Sequence, residues 1–264
     1  YLYYTSFTDY YLTTGAPPAF TGISNYLRLF ADEGFYNALF ITFQITIPAL
    51  LIEFTLGLII ALSLFRIRRG KNIFTTIISI PILVAPAIAA LAFRLMYSVQ
   101  YGVLNYILSV LLFRPVEIDW LGDIELAPYS CMLVDVWQMT PFVALIIYAG
   151  LLSLPVEIYE AASIDGAGGL NLFRSITLPL ILPYITVALI LRIIDLLKFF
   201  DPIFVLTMGG PGTATQTLSY YVYHVSMKFF NIGYGSAMAV IIVWIITLLS
   251  LGFLRIMKKV GGYK

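Results

Sequence analysis

The sequence has few charged residues, one histidine and one cysteine. Of its 264 residues, 15 are Lys or Arg and 14 are Asp or Glu, which is 11% in all. A soluble domain carries about 25% charged residues, so this composition excludes one. The single cysteine, Cys131, excludes a disulfide or a cysteine-ligated metal cluster within the chain, and its apolar surroundings indicate a packing role. A net charge of +1 gives no reason to expect a nucleic-acid partner.

A phosphate-binding loop is also missing. Such a loop has the pattern G-x-x-x-x-G-K-[ST], whereas Gly70-Lys71 is followed by Asn72 and has Phe65 five residues before the glycine. The glycine-rich segment 209–212 carries no lysine and indicates a tight turn. We therefore expect no nucleotide-binding site in this chain, and we also expect no catalytic or metal site.

Apolar residues are abundant: 61% of the chain is hydrophobic and the mean hydropathy is +0.94. A helix needs about 20 apolar residues to cross a bilayer. Backbone groups in hydrocarbon must be satisfied within the segment, and the apolar pattern is continuous rather than alternating, so the spans are helical. We predict an all-α integral membrane protein, a polytopic helical bundle forming one domain over residues 1–264. Its five full spans are 38–65, 73–93, 129–152, 178–197 and 236–254.

The basic residues predict the orientation of these spans. Segments 66–71 and 255–264 are basic, whereas 117–125 is acidic. Basic loops stay on the cytoplasmic side of a plasma or inner membrane. With five alternating spans, the Tyr1 side lies outside and the Lys264 side lies in the cytoplasm. Residues 1–37 and 198–235 are then outer segments, and 154–177 is a cytoplasmic loop.

The start of the chain has the aromatic, polar character of the end of a membrane helix. Its first residue is Tyr1 rather than Met. We expect a first spanning helix whose apolar body precedes residue 1.

Loop 154–177 has the most distinctive pattern in the chain. Pro155 and Glu157 suit the first turn of a helix. Asp165-Gly166 indicates a turn, and a second helix is expected from about Leu170 into the next span. The loop therefore predicts a helix–turn–helix lying across the membrane surface.

The amino-acid sequence of this loop resembles that of a known family. Glu160-Ala161-Ala162, Asp165-Gly166-Ala167, Phe173 and Ile176-Thr177-Leu178-Pro179 resemble the "EAA" loop of permease subunits in binding-protein-dependent ABC importers, and most of all the sugar-importing branch. The resemblance extends over nearly the whole chain and is closest to the maltose-permease type. Its further motifs are Gly22-x-x-Asn25-Tyr26, Trp137-x-x-x-Pro141 and Leu206-Thr-Met-Gly-Gly-Pro211.

The resemblance implies a type I ABC importer permease fold and a set of partners. These are a second related permease subunit, two copies of an ATP-binding subunit, an extracytoplasmic solute-binding protein, membrane lipid and a sugar. The resemblance implies no cofactor in this chain, because ATP and Mg would be bound by the partner ATPase. It also implies that the loop sits in a groove of that ATPase, through Glu160, Ala161, Ala162, Asp165, Gly166, Ala167 and Phe173.

The same resemblance implies a sugar pocket on the helices before and after the loop. Polar groups there would bind sugar hydroxyls, and aromatic faces would contact sugar C–H groups. The implied positions are Asp135, Gln138, Met139, Phe142, Arg192, Leu196 and Phe199.

Several charged residues lie in apolar stretches, where each needs a partner or access to water. Asp195 stands three residues from both Arg192 and Lys198, so the three can pair along one helix face. Arg94 is expected to reach the outer interface. Glu53 is close to mid-span, where structural pairing and pore lining both stay open. Residues 103–112 can form an amphipathic helix on the outer membrane surface.

Other functions remain open from the residues alone. The solute could be a polyol or a glycerol phosphate, although the lack of a cluster of pore-facing arginines counts against a phosphate. The chain could be a channel or carrier outside the ABC class. It could also be an intramembrane hydrolase with Ser236 or Ser226 as the nucleophile and His224 as the base, although the position of His224 favours an interfacial aromatic belt.

Overall fold

Long apolar helices make up most of the computed structural model, which describes residues 1–67, 69–164 and 168–261. The helices are α1 Leu2–Ser6, α2 Ser24–Phe30, α3 Glu33–Arg66, α4 Lys71–Leu83, α5 Pro86–Met96, α6 Val103–Leu112, α7 Leu126–Leu152, α8 Val156–Ile164, α9 Gly169–Leu172, α10 Leu178–Leu197, α11 Asp201–Leu206, α12 Leu218–Tyr223 and α13 Ile232–Gly261. Strands β1 (Thr8–Asp9) and β2 (Ala19–Phe20) form a short antiparallel pair.

Within the described residues, four helical stretches are long and apolar enough to cross a membrane. They are Glu33–Arg66, Leu126–Leu152, Gly169–Leu206 and Ile232–Met257. Each contains one of the predicted spans. The third is continuous through a π-helical turn, Phe173–Thr177, which joins α9 to α10. The prediction of an all-α polytopic bundle is confirmed.

The remaining predicted span, 73–93, which is the second along the chain, is not one straight helix. The structure divides it into α4 and α5, which meet at an angle of 90°. Val84 and Ala85 between them have extended backbone, with ψ of 129° and 136°. Pro86 explains the break, because a proline disfavours helical backbone in the residue before it. The expectation of a continuous helix is therefore wrong here, and up to five spans result if the bent pair counts as one.

The helices pack around a core in which α3 lies along α7, and α10 contacts α3, α7 and α13. A small residue allows the closest approach. A Cβ atom added at Gly57 of α3 would lie 2.8 Å from Cγ1 of Val143 on α7. Cys131 is fully buried in this core with a free thiol, in agreement with a packing role. The helices that carry the charged residues described below are thus held in close contact.

The two ends of the helix bundle differ. We call one the α6 end and the other the α8 end, after the helix that lies there. At the α6 end, the predicted amphipathic helix is present as α6, and Asn105 accepts a 2.9 Å hydrogen bond from Trp120. Segment 207–217, which contains a tight turn at Gly209–Gly212, follows α11. At the α8 end, α8 follows α7 after a short turn.

Asp32 ties together three elements at the start of α3. Its carboxylate accepts the backbone N–H of Gly34 (2.8 Å) and the hydroxyl of Tyr221 (2.8 Å), and it also accepts the hydroxyl of Tyr234 on α13. Burial opposes ionisation, but these hydrogen bonds together outweigh it and hold the pKa of Asp32 below its usual value. Asp32 is therefore both the N-cap of α3 and a link from α3 to α12 and α13.

Candidate functional site

A buried ion cluster joins three of the membrane helices. Arg192 on α10 has a side chain that is 1% exposed. Its Nε donates to Oε2 of Glu53 on α3 at 2.7 Å, and its Nη2 donates to Oε1 of Glu53 at 3.0 Å. Nη2 also donates to Oδ2 of Asp135 on α7. An unpaired charge at this depth would be costly, and the planar guanidinium suits such paired contacts.

This cluster shows which residue pairs with Glu53. The sequence named no partner for it, and the structure provides Arg192, 139 residues away. Glu53 itself is 0% exposed, so it does not line a cavity. Arg192, which the resemblance placed among the sugar ligands, has most of its donors bound to carboxylates of the same chain.

Asp195 and Lys198 extend the cluster along α10 as predicted. Oδ2 of Asp195 lies 3.7 Å from Nη1 of Arg192, and Oδ1 lies 3.6 Å from Nζ of Lys198. Both of these side chains are more than half exposed. Because exposed pairs are weak, they add little stability but place two charges at a surface. The i, i+3 pairing read from the sequence is confirmed.

That surface is the wall of a cavity of about 340 Å³. It lies where α7 and α10 meet the starts of α5 and α11. The residues lining it are Pro86, Asp135, Gln138, Met139, Arg192, Asp195, Lys198, Phe199, Phe200, Asp201 and Pro202. Larger cavities at the α6 end are lined by α6 and its loops, or by the starts of α3 and α7. The smaller cavity is where the buried ion cluster meets open space.

Five of the seven positions implied for sugar binding line this cavity. They are Asp135, Gln138, Met139, Arg192 and Phe199. The other two do not line it. Leu196 is 1% exposed and packs in the core between α3, α7 and α10, because it lies on the inward face of α10 with Arg192. Phe142 is half-buried one turn further along α7.

The sequence missed the cavity residues supplied by broken helices. Pro86 begins α5, while Phe200, Asp201 and Pro202 form the start of α11. The signal was present in the chain, since Pro86 directly follows an apolar run and Pro202 follows Asp201 just after one. Discontinuous helices recur at membrane binding sites because their ends leave backbone groups free.

Gln138 is placed at one of these breaks. Its side chain is 1% exposed, and its Nε2 donates to the carbonyl oxygen of Val84, between α4 and α5. That carbonyl accepts no other hydrogen bond among the described contacts. Non-helical backbone at membrane depth is tolerated when another part of the protein satisfies it. Gln138 therefore supports the wall that contains Pro86.

The predicted coupling loop is described in part. Glu160, Ala161 and Ala162 lie on α8, and Ala162 is 5% exposed. Phe173 begins the π-helical turn before α10. Asp165, Gly166 and Ala167 lie outside the described residues.

The contact that fixes α8 comes from a residue the sequence did not single out. The ring of Tyr159 lies 6.2 Å from the ring of Phe65 at the end of α3, and its hydroxyl donates to Oγ1 of Thr177 at 3.3 Å. Tyr159 thus connects α8 to both α3 and the start of α10. The feature of the sequence that could have indicated this contact is the aromatic residue directly before Glu160.

The residues of the hydrolase alternative are engaged elsewhere. Ser236 accepts a 2.9 Å hydrogen bond from Thr5, and among the described residues Nδ1 of His224 has no hydrogen-bond partner. The His224 ring stacks on Tyr220 and meets Phe229 edge-on. Burial, and then Lys228, lower the pKa of His224.

Arg94 donates to the carbonyl oxygen of Val205 at 3.1 Å and is exposed. Within the described residues, no three His, Cys, Asp or Glu side chains are grouped to hold a metal.

Comparison with known proteins gives matches to transport proteins over most of the chain. Residues 37–259 match the family model described as "binding-protein-dependent transport system inner membrane component". The trehalose/maltose transport system permease protein MalF of Thermococcus litoralis is 41% identical over 93% of this chain and 81% of its own length. The sn-glycerol-3-phosphate transport system permease protein UgpA of Agrobacterium fabrum is 33% identical over 93% and 83%.

The fold has a solved counterpart. A chain of a bacterial alginate ABC transporter, crystallised with an alginate pentasaccharide-bound periplasmic protein, superposes with a TM-score of 0.81 at 23% identity, over 91% of this chain and 84% of that one.

Proposed function

Because the chain belongs to the family of binding-protein-dependent transport system inner membrane components, we propose that it is the membrane-spanning permease subunit of an ABC importer that moves a sugar into the cell. The observation that carries this role is the family match over residues 37–259, which includes every long apolar helix from α3 to α13. The similarity to a trehalose/maltose permease over 93% of the chain supports a sugar as the solute.

The cavity beside the ion cluster is the proposed sugar site in this subunit. Asp135 offers a partly exposed carboxylate for sugar hydroxyls, while Met139 and Phe199 offer apolar contact. Gln138 and Arg192 act behind this surface, since both are 1% exposed and bound within the chain. In our proposal Phe142 and Leu196 contribute to the packing behind the wall.

Energy enters through α8 and the loop that follows it. In our proposal Glu160, Ala161, Ala162, Asp165, Gly166, Ala167 and Phe173 dock on an ATP-binding subunit, of which the complex holds two copies. ATP and Mg are bound there, and this chain needs no cofactor or catalytic site of its own. The contacts of Tyr159 with Phe65 and Thr177 support a direct mechanical path from α8 to α3 and α10.

The remaining partners follow from the same role. The helices lie in the inner membrane, with the α8 end and Lys264 in the cytoplasm and Tyr1 outside, as the basic segments 66–71 and 255–264 favour. A second, related permease subunit completes the pore, and an extracytoplasmic solute-binding protein delivers the sugar. The solved alginate transporter, which is complexed with a periplasmic protein, supports that last partner.

The test is ATP hydrolysis by the complete complex in nanodiscs. The complex is mixed with its binding protein, which is loaded in turn from a panel of sugars that includes trehalose and maltose. We expect one sugar to stimulate hydrolysis and uptake. If no ATPase co-purifies with the chain, the importer role is wrong and a channel or carrier becomes the better account.

A glycerol phosphate is the second candidate solute, because a glycerol-3-phosphate permease is 33% identical over most of the chain. Adding sn-glycerol-3-phosphate to the same panel distinguishes the two candidates.

A further inference from the structure

The charges around the cavity are unequally available to a solute. Arg192 contributes the strongest cation, but its side chain is 1% exposed. Two of its nitrogen atoms donate to Glu53 and Asp135, and the third faces Asp195 at 3.7 Å. A guanidinium surrounded in this way is neutralised by its own chain and cannot also bind an anionic solute without breaking a buried pair.

The carboxylates, by contrast, reach the cavity. The side chain of Asp135 is 13% exposed and that of Asp195 is 53% exposed. Asp201, at the start of α11, is also an exposed lining residue. Of the described residues that line the cavity, only Lys198 offers an exposed cation, and it lies 3.6 Å from Asp195. Three accessible carboxylates therefore face one accessible ammonium group.

From this imbalance we infer that the cavity accepts uncharged sugars and excludes anionic solutes such as phosphorylated sugars or glycerol phosphate. The inference rests on the proposed function and decides between its two candidate solute classes. A cleft lined by one sign of charge, with apolar walls, concentrates ions of the opposite sign and repels those of the same sign.

An uncharged sugar suits the same wall. Its hydroxyl groups can donate to the carboxylates of Asp135 and Asp195, which accept hydrogen bonds through two oxygens each. The rings of Phe199 and Phe200 can contact its C–H faces. A phosphate or carboxylate on the solute offers acceptors at neutral pH, so it would face the carboxylates, and the one exposed cation there, Lys198, is already paired with Asp195.

The first experiment measures the charge preference of the cavity without any sugar. Met139→Cys is introduced into the complete complex, and its reaction with a cationic and an anionic methanethiosulfonate reagent is timed. The thiolate attacks the reagent sulfur, forms a mixed disulfide and releases methanesulfinate, in the same way for both reagents. A matched Thr13→Cys variant, exposed in the outer segment, corrects for intrinsic reactivity. The unmodified complex reports any reaction at Cys131.

We expect the cationic reagent to react about tenfold faster than the anionic one at Met139→Cys, relative to the control. Adding Asp195→Asn and Asp201→Asn should reduce this ratio to about twofold, and raising the ionic strength should also reduce it. Asp9→Asn combined with Glu33→Gln, an equal charge change at two exposed sites away from the cavity, should not alter it. A ratio near one, or one unaffected by the two cavity substitutions, would overturn the inference.

The second experiment compares solutes. Binding of trehalose and trehalose 6-phosphate, and of maltose and its phosphorylated form, is measured by equilibrium dialysis on the nanodisc complex without the binding protein. We expect each phosphorylated member to bind at least about tenfold more weakly, with a smaller difference in Asp195→Asn. Equal or tighter binding of the phosphorylated member would refute the inference. Failure of every probe to bind would count against this cavity as a sugar site, whereas failure of the importer role would appear in the ATPase assay instead.

Discussion

Arg192 on α10 holds Glu53 on α3 through two parallel hydrogen bonds of 2.7 and 3.0 Å, with both side chains no more than 1% exposed. The third member, Asp135 on α7, meets the same guanidinium from another direction. The contact therefore fixes the relative positions of three membrane helices at the back of the cavity.

Glu53→Leu should strongly destabilise the subunit, because it leaves half of the Arg192 guanidinium buried without a partner. Breaking a buried pair from one side costs about 3–5 kcal/mol. The measurement is the midpoint of thermal unfolding of the complex in detergent. Glu33→Gln, an exposed acid in the first turn of the same helix, is the control and should leave the midpoint nearly unchanged. Equal midpoints for the Glu53 variant and the wild type would show that the pair is not needed for stability.

Gln138→Leu should weaken the bend between α4 and α5. The substitution removes the donor to the Val84 carbonyl and leaves a buried acceptor unsatisfied, which costs about 1–3 kcal/mol. We expect maximal uptake to fall while the complex still assembles, as judged by co-purification of the ATPase. Leu133→Met, a change of similar volume at an exposed position of the same helix that does not line the cavity, is the control. Uptake by Gln138→Leu at the wild-type rate would remove the hydrogen bond from the mechanism.

Tyr159→Ala should reduce the stimulation of ATP hydrolysis by the loaded binding protein. The substitution removes both the ring against Phe65 and the hydroxyl bonded to Thr177, so α8 loses these two contacts with α3 and the start of α10. A coupling loss of about 1 kcal/mol corresponds to roughly fivefold less stimulation. Tyr159→Phe keeps the ring and should lose less. Full stimulation in the alanine variant would mean that coupling takes another path.

Asp32→Asn should lower stability at pH 7 but not at acidic pH. The pKa of Asp32 is below its usual value in the folded state, so its ionisation adds stability above the unfolded-state pKa, and that stability is lost as the pH falls through the folded-state pKa. Asparagine keeps one oxygen for the helix cap, but its amide nitrogen cannot accept from the hydroxyls of Tyr221 and Tyr234, so the variant resembles the protonated carboxyl group. We expect the unfolding midpoints of variant and wild type to differ at pH 7 and the difference to shrink as the pH falls below about 4, through the lowered pKa of Asp32. A difference that stays constant as the pH is lowered through this range would contradict this account.

The spans and the local pairings could be predicted from the sequence because they depend on neighbouring residues. Hydrophobic length located all five apolar stretches, and the spacing of Arg192, Asp195 and Lys198 gave their pairing on one helix face. The resemblance to the family indicated five of the eleven residues that line the cavity, with Asp135, Met139 and Phe199 at its surface.

The remaining features depend on contacts between distant segments. Glu53 and Arg192 are 139 residues apart, and Arg192 and Asp135 are 57 apart, so no local pattern identifies them as partners. The resemblance implied that Gln138 is a sugar ligand, since an amide can bind sugar hydroxyls, and only the folded chain shows that the Val84 carbonyl is its partner. The bend at Pro86 was available from the sequence, since the proline interrupts an apolar run that is otherwise long enough to span.

The ion cluster also has a consequence for how this subunit can diverge over generations. Glu53, Asp135 and Arg192 lie on three different helices and satisfy one another at a buried position. Losing Arg192 strands both carboxylates, and losing either carboxylate leaves part of the buried guanidinium without a partner, so a lineage that replaced them one at a time would pass through poorly folded intermediates. The three positions should therefore be inherited as a set, while the exposed Asp195 and Lys198 beside them are free to drift and to adapt the cavity to a new solute.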